Sequence, residues 1–318
     1  MNMKKVDYSK HIYQIKDSEV LLCIAKINNF KEKQASYPKT KPTELDKFLS
    51  TKASNKIAGV VTTNSRLWQL IENKTIPKNR NEEEILNYYS SLDSIHENYK
   101  VLPIHSNYII QMYRNLFKFE ELPNKQKVDI LDTMCENYKN ALKSGIIDSL
   151  VLIHCFVLDL LCLHLFNKGN GRISRLLNLL LLYKCGYFAG CYSSIASFII
   201  NDVNTYYETV RISNQGWKDK KNNPQLFIKY MLNVIISCYK DFELRQNFAD
   251  YVNQASYDVV KSFAEKHNGV FSKKTVLIAC QDIGGRSLIE FNLKRLVREG
   301  FIKRVGLYAS ALYAKTRQ

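Results

Sequence analysis

The sequence predicts a mainly α protein that ends in a small α/β domain of the winged helix-turn-helix kind. Three observations predict it. Apolar residues recur at three- and four-residue steps almost without a break from about residue 103 to 247. Gly and Pro are scarce, 12 and 6 in 318 residues, so little punctuates those helices. After about residue 250 the pattern changes to short helical segments followed by alternating runs.

The first hundred residues alternate polar loops with helical patterns. Thr43 is placed to cap a helix that starts at Glu44 and carries Leu45, Phe48, Leu49 and Lys52 at helical spacing. That helix should run to about Ile57 and stop near Gly59. Asn81 followed by Glu82, Glu83 and Glu84 marks another start, with acidic residues complementing the positive helix end. Tyr88, Leu92 and Ile95 then form its apolar face. Helical segments follow at 105–117, 124–143, 147–165, 171–185, 194–212 and 224–246, with no convincing strand among them. Beyond 250, Val259, Val260 and Phe263 mark one helix and Val276, Leu277 and Ala279 a second. A turn at Asp282-Ile283-Gly284-Gly285 leads to a third, Ser287 to about Glu299. Gly300 ends it, and the alternating runs Phe301–Val305 and Ala311–Ala314 complete a hairpin. The chain thus divides into an N-terminal helical region (1–100), a helical core (101–247) and the terminal domain (250–318).

The net charge is +16, which favours polyanionic partners such as nucleotide, nucleic acid or an acidic protein surface. A merely well-solvated basic surface accounts for the same number. None of the eight cysteines forms a Cys-x-x-Cys pair; this fits buried, reduced thiols and a cytoplasmic location. The N-terminus has no apolar signal core. The most apolar stretch, Leu150 to Phe166, is interrupted by His154, Asp159 and His164 and is too short to span a bilayer, so it reads as a buried helix and no membrane partner is expected.

The informative segment is His164-Leu165-Phe166-Asn167-Lys168-Gly169-Asn170-Gly171-Arg172-Ile173-Ser174-Arg175. One apolar helix ends near His164 and a glycine-rich turn opens the next. Such a turn lets backbone N–H groups converge on an anion, and the new helix adds its positive end. Arg172 and Arg175, three apart, project from one side of the first turn. Two guanidiniums, an anion nest and an imidazole beside it suit a polyphosphate next to a general base, and imidazole ordinarily titrates closest to neutral pH. His154, ten residues earlier on the same apolar helix, reads as a core residue.

This segment resembles the signature of the Fic family, His-x-Phe-x-(Asp/Glu)-Gly-Asn-Gly-Arg-x-x-Arg, at every fixed position but one. The flanks Phe156–Asp159, Leu176-Leu177 and Gly186-Tyr187 look like the family's helices. Tyr206-Tyr207, Trp217 and Phe227–Leu232 resemble a subgroup that ends in a winged helix. The resemblance implies a nucleotidyltransferase that moves AMP from ATP, its substrate, to a Ser, Thr or Tyr hydroxyl of a protein, including its own. It implies that His164 is the general base and that Phe166 pins the loop in the core. Gly169 and Gly171 would supply the anion-binding backbone and Asn170 would hold the α-phosphate. Arg172 would hold the β-phosphate and Arg175 the γ-phosphate. Tyr206, Tyr207 and Asn222 are candidates for the base pocket.

The chain departs from the family pattern in three places. At Lys168 the family usually has an acid that holds Mg²⁺; an ammonium repels a cation but can neutralise phosphate. An enzyme with little need of metal, a metal held mainly by the phosphates, and a weakened or altered reaction all fit, and no metal-ligating residue is assigned. In Ser54-Asn55-Lys56-Ile57-Ala58-Gly59, the counterpart of the family's inhibitory motif on a helix at about 44–58, Ser54 and Gly59 fit but the inhibitory glutamate is Ala58. Between Phe119 and Asp129 the chain is shorter than the hairpin flap that relatives use to pair with a target. Two further readings stay open. One is another nucleotide or phosphocholine donor; the other is a DNA-binding regulator whose degenerate core senses nucleotide. Basic residues outnumber acidic ones in the terminal domain, which permits DNA contact. Protein docking and homo-oligomer formation suit such a domain equally.

Overall fold

The computed structural model describes Tyr8 and residues 17–34, 42–118, 120–280, 285–305 and 312–316. The chain forms two compact units that divide between Phe242 and Glu243.

The first unit is built from helices. α1 (Ser18–Lys33) precedes α2 (Glu44–Ile57), α3 (Asn64–Ile71) and α4 (Arg80–Asn98). Then come α5 (Ser106–Leu116), α6 (Lys125–Ser144), α7 (Ser149–Leu163) and α8 (Asn170–Lys184). Short α9 (Ala189–Tyr192), α10 (Ile195–Asn201) and α11 (Val203–Asn214) lead to α12 (Gln225–Lys266). α7 and α8 form the central pair. All of α7 is buried except Ser149 and Leu161, and α8 is buried continuously from Arg172 to Tyr183. A helix apolar on every side must be covered on every side, and α2, α4, α5, α6 and α11 supply that cover.

α2 begins and ends where the sequence places it. Thr43 Oγ1 accepts from the Asp46 amide at 3.1 Å and the Asp46 carboxylate accepts from the Thr43 amide at 3.1 Å, a reciprocal capping box. Gly59, with φ +76, takes the left-handed turn that stops the helix. Tyr88, Leu92 and Ile95 of α4 are buried as their spacing predicts. The expected single helix over 194–212 is broken at Asp202, whose backbone leaves the helical region between α10 and α11. The expected stop near 246 is absent, because no Gly or Pro occurs between Gln225 and Lys266.

The second unit holds the end of α12, α13 (Lys273–Ala279), α14 (Arg286–Arg298) and a three-stranded antiparallel sheet. Its strands are β1 (Val270–Ser272), β2 (Ile302–Val305) and β3 (Leu312–Lys315), in the order β1-β3-β2. β1, three residues long, gave no alternation to read. The turn expected at 282–285 lies mostly outside the described residues. A mainly helical core followed by a small α/β part is therefore the architecture of the chain. No helix among the described residues is long and apolar enough to cross a membrane. The cysteines are all free, and six are buried.

Candidate active site

The site lies where α7 gives way to α8. α7 ends on His164, which sits at φ 44 and ψ 54, in the left-handed region. A non-glycine residue there costs about 1 kcal/mol. The side chain is exposed, and the position is held by its own N–H on the Leu161 carbonyl and by the Lys127 ammonium on its carbonyl. Two residues on, Phe166 is buried and stacks on Tyr113 at 3.8 Å between ring centroids, nearly parallel. This contact pins the turn, the part the resemblance gives to Phe166.

Asn170 closes the turn. Its side-chain oxygen accepts from the Phe166 amide at 3.0 Å, and its Nδ2 donates to the Phe166 carbonyl at 2.7 Å. The side chain expected to hold a phosphate is thus fastened to the loop's own backbone. Gly169, with φ +79, has no room for a Cβ, which would lie 2.2 Å from the Phe117 ring. A Cβ on Gly171 would come within 3.2 Å of Arg175 Nη1. With Gly169 at its N-cap, α8 has no side-chain cap. Its first N–H groups therefore remain available to an anion.

Arg172 and Arg175 are both buried. Arg172 Nη1 donates to Asn55 Oδ1 at 3.0 Å and Nη2 to Glu84 Oε2 at 2.8 Å, while its guanidinium lies 4.7 Å from the Phe117 ring centroid. Arg175 turns to α2 and α11: Nε donates to the Ser54 hydroxyl at 2.8 Å and Nη2 to the Ser54 carbonyl at 2.7 Å, and its guanidinium also bonds the Tyr206 side chain. Ser54 of the inhibitory-type motif therefore touches the second arginine without any glutamate. Ala58 caps the end of α2.

Together these groups border a cavity of about 390 Å³. His164, the Gly169–Gly171 turn, Arg172 and Arg175 form one side, and Ile57 and Ala58 of α2 with Tyr206 and Tyr207 of α11 face it. The Tyr207 hydroxyl donates to the Ile57 carbonyl at 2.7 Å, linking α11 to α2. Tyr206 is buried, and burial raises its phenol above the ordinary range although Arg175 opposes the shift. Asn222 is not part of the lining. It is buried elsewhere, with its amide on the Ser213 carbonyl at 3.3 Å.

Lys168 is also outside the lining. Its ammonium is held by Glu84 at 2.7 Å and Glu120 at 3.1 Å, and lies 5.0 Å from the Phe117 ring centroid. The expectation that it neutralises phosphate meets this geometry: two carboxylates, from α4 and from the α5–α6 connection, already take its charge. Arg80 joins the same cluster through Glu84 at 3.5 Å and through Glu120. Burial works against the charge on Glu84, but Lys168 and Arg172 outweigh it and hold the carboxyl below the ordinary range. Glu84 thus does more than complement the helix end, and Glu82 is likewise committed, to Arg66 at 2.9 and 2.6 Å.

These residues do not fit the Mg²⁺ site of the family pattern. Position 168 carries a cation, and the nearby carboxylates are bound to cations of the protein. Among the described residues no group of three His, Cys, Asp or Glu side chains could hold a metal.

The sequence did not point to Asn55, Glu84, Phe117, Glu120 or Lys127. Only Asn55, next to Ser54 in the motif, carried a signal. In α14, Arg286 bonds Glu290 at 3.1 Å, and Arg295 bonds Glu299 at 2.9 Å while stacking 3.9 Å from the Tyr257 ring centroid.

No protein-family profile matches the chain, and no curated protein is similar to it in sequence. Solved structures are similar in fold. A Fic family protein from Desulfovibrio desulfuricans G20 superposes with a TM-score of 0.58 at 14% identity, over 96% of this chain and 98% of that one. Fic-1 from C. elegans gives 0.60 at 14% identity, over 72% and 73%. The chain has the Fic fold. A Fic domain containing signaling protein from Bacteroides thetaiotaomicron VPI-5482 agrees, at 0.54 and 18% identity over 70% and 95%. At such identities the likeness concerns the Fic fold and not the chemistry, which rests on the residues of the cavity.

Proposed function

We propose that this chain is a protein adenylyltransferase, which transfers AMP from ATP to a hydroxyl of a protein, its own included. One observation carries the reading: His164, the uncapped start of α8 and two buried arginines border a single cavity. The hydroxyl oxygen of the target attacks the α-phosphorus and a new P–O ester forms. The bond from that phosphorus to the bridging oxygen of the β-phosphate breaks, and pyrophosphate leaves. His164 takes the proton of the hydroxyl. Arg172 and Arg175 neutralise the phosphates that depart, and the first N–H groups of α8 orient the α-phosphate, which stays. Phosphoryl chemistry asks mainly for alignment and charge neutralisation, so this set is sufficient in kind. Tyr206 and Tyr207 offer ring faces to the nucleoside. Ala58 leaves α2 without a carboxylate at the cavity, so the enzyme would need no release step.

The test is incubation of the pure protein with ATP labelled on the α- or on the γ-phosphate. Protein-bound α-label without γ-label is expected. Retention of the γ-label would make the chain a kinase, and retention of neither label on itself or on added lysate proteins would end the transferase reading.

A further inference from the structure

Among the described residues, the buried carboxylate bonded to Arg172 comes from outside the α7–α8 turn. Glu84, the fifth residue of α4, is 5% exposed. Its Oε2 accepts from Arg172 Nη2 at 2.8 Å and its Oε1 from the Lys168 ammonium at 2.7 Å. Lys168 is held from its other side by Glu120 at 3.1 Å. The chain Glu120–Lys168–Glu84–Arg172 therefore runs from the protein surface to the cavity wall.

We propose that Glu84 is the positioning residue for Arg172, and that Lys168 serves as the clamp on Glu84 and not as a ligand of the nucleotide. The proposal rests on the transferase reading, in which Arg172 meets the β-phosphate. Three observations support it. Arg172 lines the cavity, whereas Lys168 and Glu84 do not. A guanidinium has five N–H donors; Asn55 and Glu84 take one each, and Nε is buried without a partner. The fork is thus fixed at two points and keeps donors for a phosphate. Finally, Lys168 takes Glu84 Oε1 while Arg172 takes Oε2, so the carboxylate is held at both oxygens, with Arg80 more distant at 3.5 Å. A lysine at 168 provides the second pull from the very position at which the family pattern has an acid.

A role of this kind separates ATP from AMP, because AMP has no β-phosphate to reach Arg172. The experiment is titration of ATP and of AMP into the parent, Glu84→Gln, Glu84→Lys, Lys168→Met and the exchanged pair Lys168→Glu/Glu84→Lys, with melting temperatures measured alongside. ATP affinity should fall tenfold or more in Glu84→Gln and several-fold in Lys168→Met, while AMP affinity stays within twofold in both. The exchanged pair restores the bridge between positions 84 and 168 but sets an ammonium against Arg172. It should therefore melt above Glu84→Lys alone, yet bind ATP no better than Glu84→Gln. Unchanged ATP affinity in Glu84→Gln, equal losses for ATP and AMP, or full recovery of ATP binding in the exchanged pair would each overturn the proposal. A parent that binds neither nucleotide would overturn the transferase reading and this proposal with it.

Discussion

The α2 side and the α4 side of the site treat their arginines differently. On the α4 side Arg172 meets a buried carboxylate, Glu84, which is itself held by Lys168. On the α2 side Arg175 meets neutral groups, the hydroxyl and the carbonyl of Ser54 and the Tyr206 phenol. An ion pair fixes a guanidinium and offsets part of its charge; neutral acceptors fix it and leave the charge whole. Arg172 is thus anchored within a charge network, and Arg175 keeps its full charge.

The largest effect expected from this difference is on stability. Arg172→Ala leaves a buried Glu84 whose remaining cations, Lys168 and the more distant Arg80, both meet its other oxygen, and removing one member of a buried pair costs roughly 3–5 kcal/mol. Arg175→Ala leaves behind only neutral groups, the hydroxyl and carbonyl of Ser54 and the Tyr206 phenol, at a cost of roughly 1–2 kcal/mol. Denaturant unfolding of both variants checks the order; equal losses would mean that the α4 network contributes nothing beyond ordinary hydrogen bonds.

The next effect is on rate. Ala58→Glu sets a carboxylate on the cavity wall that Arg175 also borders and makes the α2 side resemble the α4 side. Self-modification should slow several-fold at equal, saturating ATP, with the melting temperature unchanged because the position is a helix end. Combining it with Arg175→Ala should remove the difference. An Ala58→Glu protein as fast as the parent would show that α2 is only packing.

The smallest effect concerns two groups buried in α7. Burial pushes Asp159 up to about 7, although Trp217 Nε1 donates to it at 2.7 Å and Tyr8 also bonds it. A raised carboxyl stabilises the fold below its unfolded value near pH 4 and loses that contribution as the pH rises through about 7. Burial pushes His154 down to about 4, against the bond of its Nδ1 with the Leu150 carbonyl at 2.7 Å. Its contribution is complete above about pH 6.5 and is lost as the pH falls through 4. Asp159→Asn keeps an acceptor for Trp217 and removes the first titration. Between pH 5 and 8 its melting temperature should therefore fall less than the parent's, by a few degrees; parallel curves would place the Asp159 carboxyl in the ordinary range.

What could be read in advance follows from how local the cause is. The capping box at Thr43, the apolar sides of α7 and the glycine turn at 169–171 are short-range matters of spacing and backbone freedom, and the sequence displays them. Glu84 lies 84 residues from Lys168 and 88 from Arg172, so its role depends on how α4 packs on α8. In the sequence it is one of three adjacent glutamates at a helix start. Lys168 was legible as a cation but not in its direction, because the carboxylates that turn it from the cavity come from two other elements. Asn170 shows the same limit: its bonds to Phe166, which brace the turn, follow from the loop's closure and not from its residue type. The run of α12 past residue 246 was missed although its cause was in plain view, an unbroken stretch without Gly or Pro.

The most direct test of the account is the initial rate at which α-phosphate label from ATP becomes bound to protein, measured for the parent and for His164→Ala. If His164 takes the proton of the attacking hydroxyl, the variant should be slower by roughly 10²–10⁴-fold, with ATP affinity within a few-fold of the parent. Equal rates in the two proteins would contradict the account.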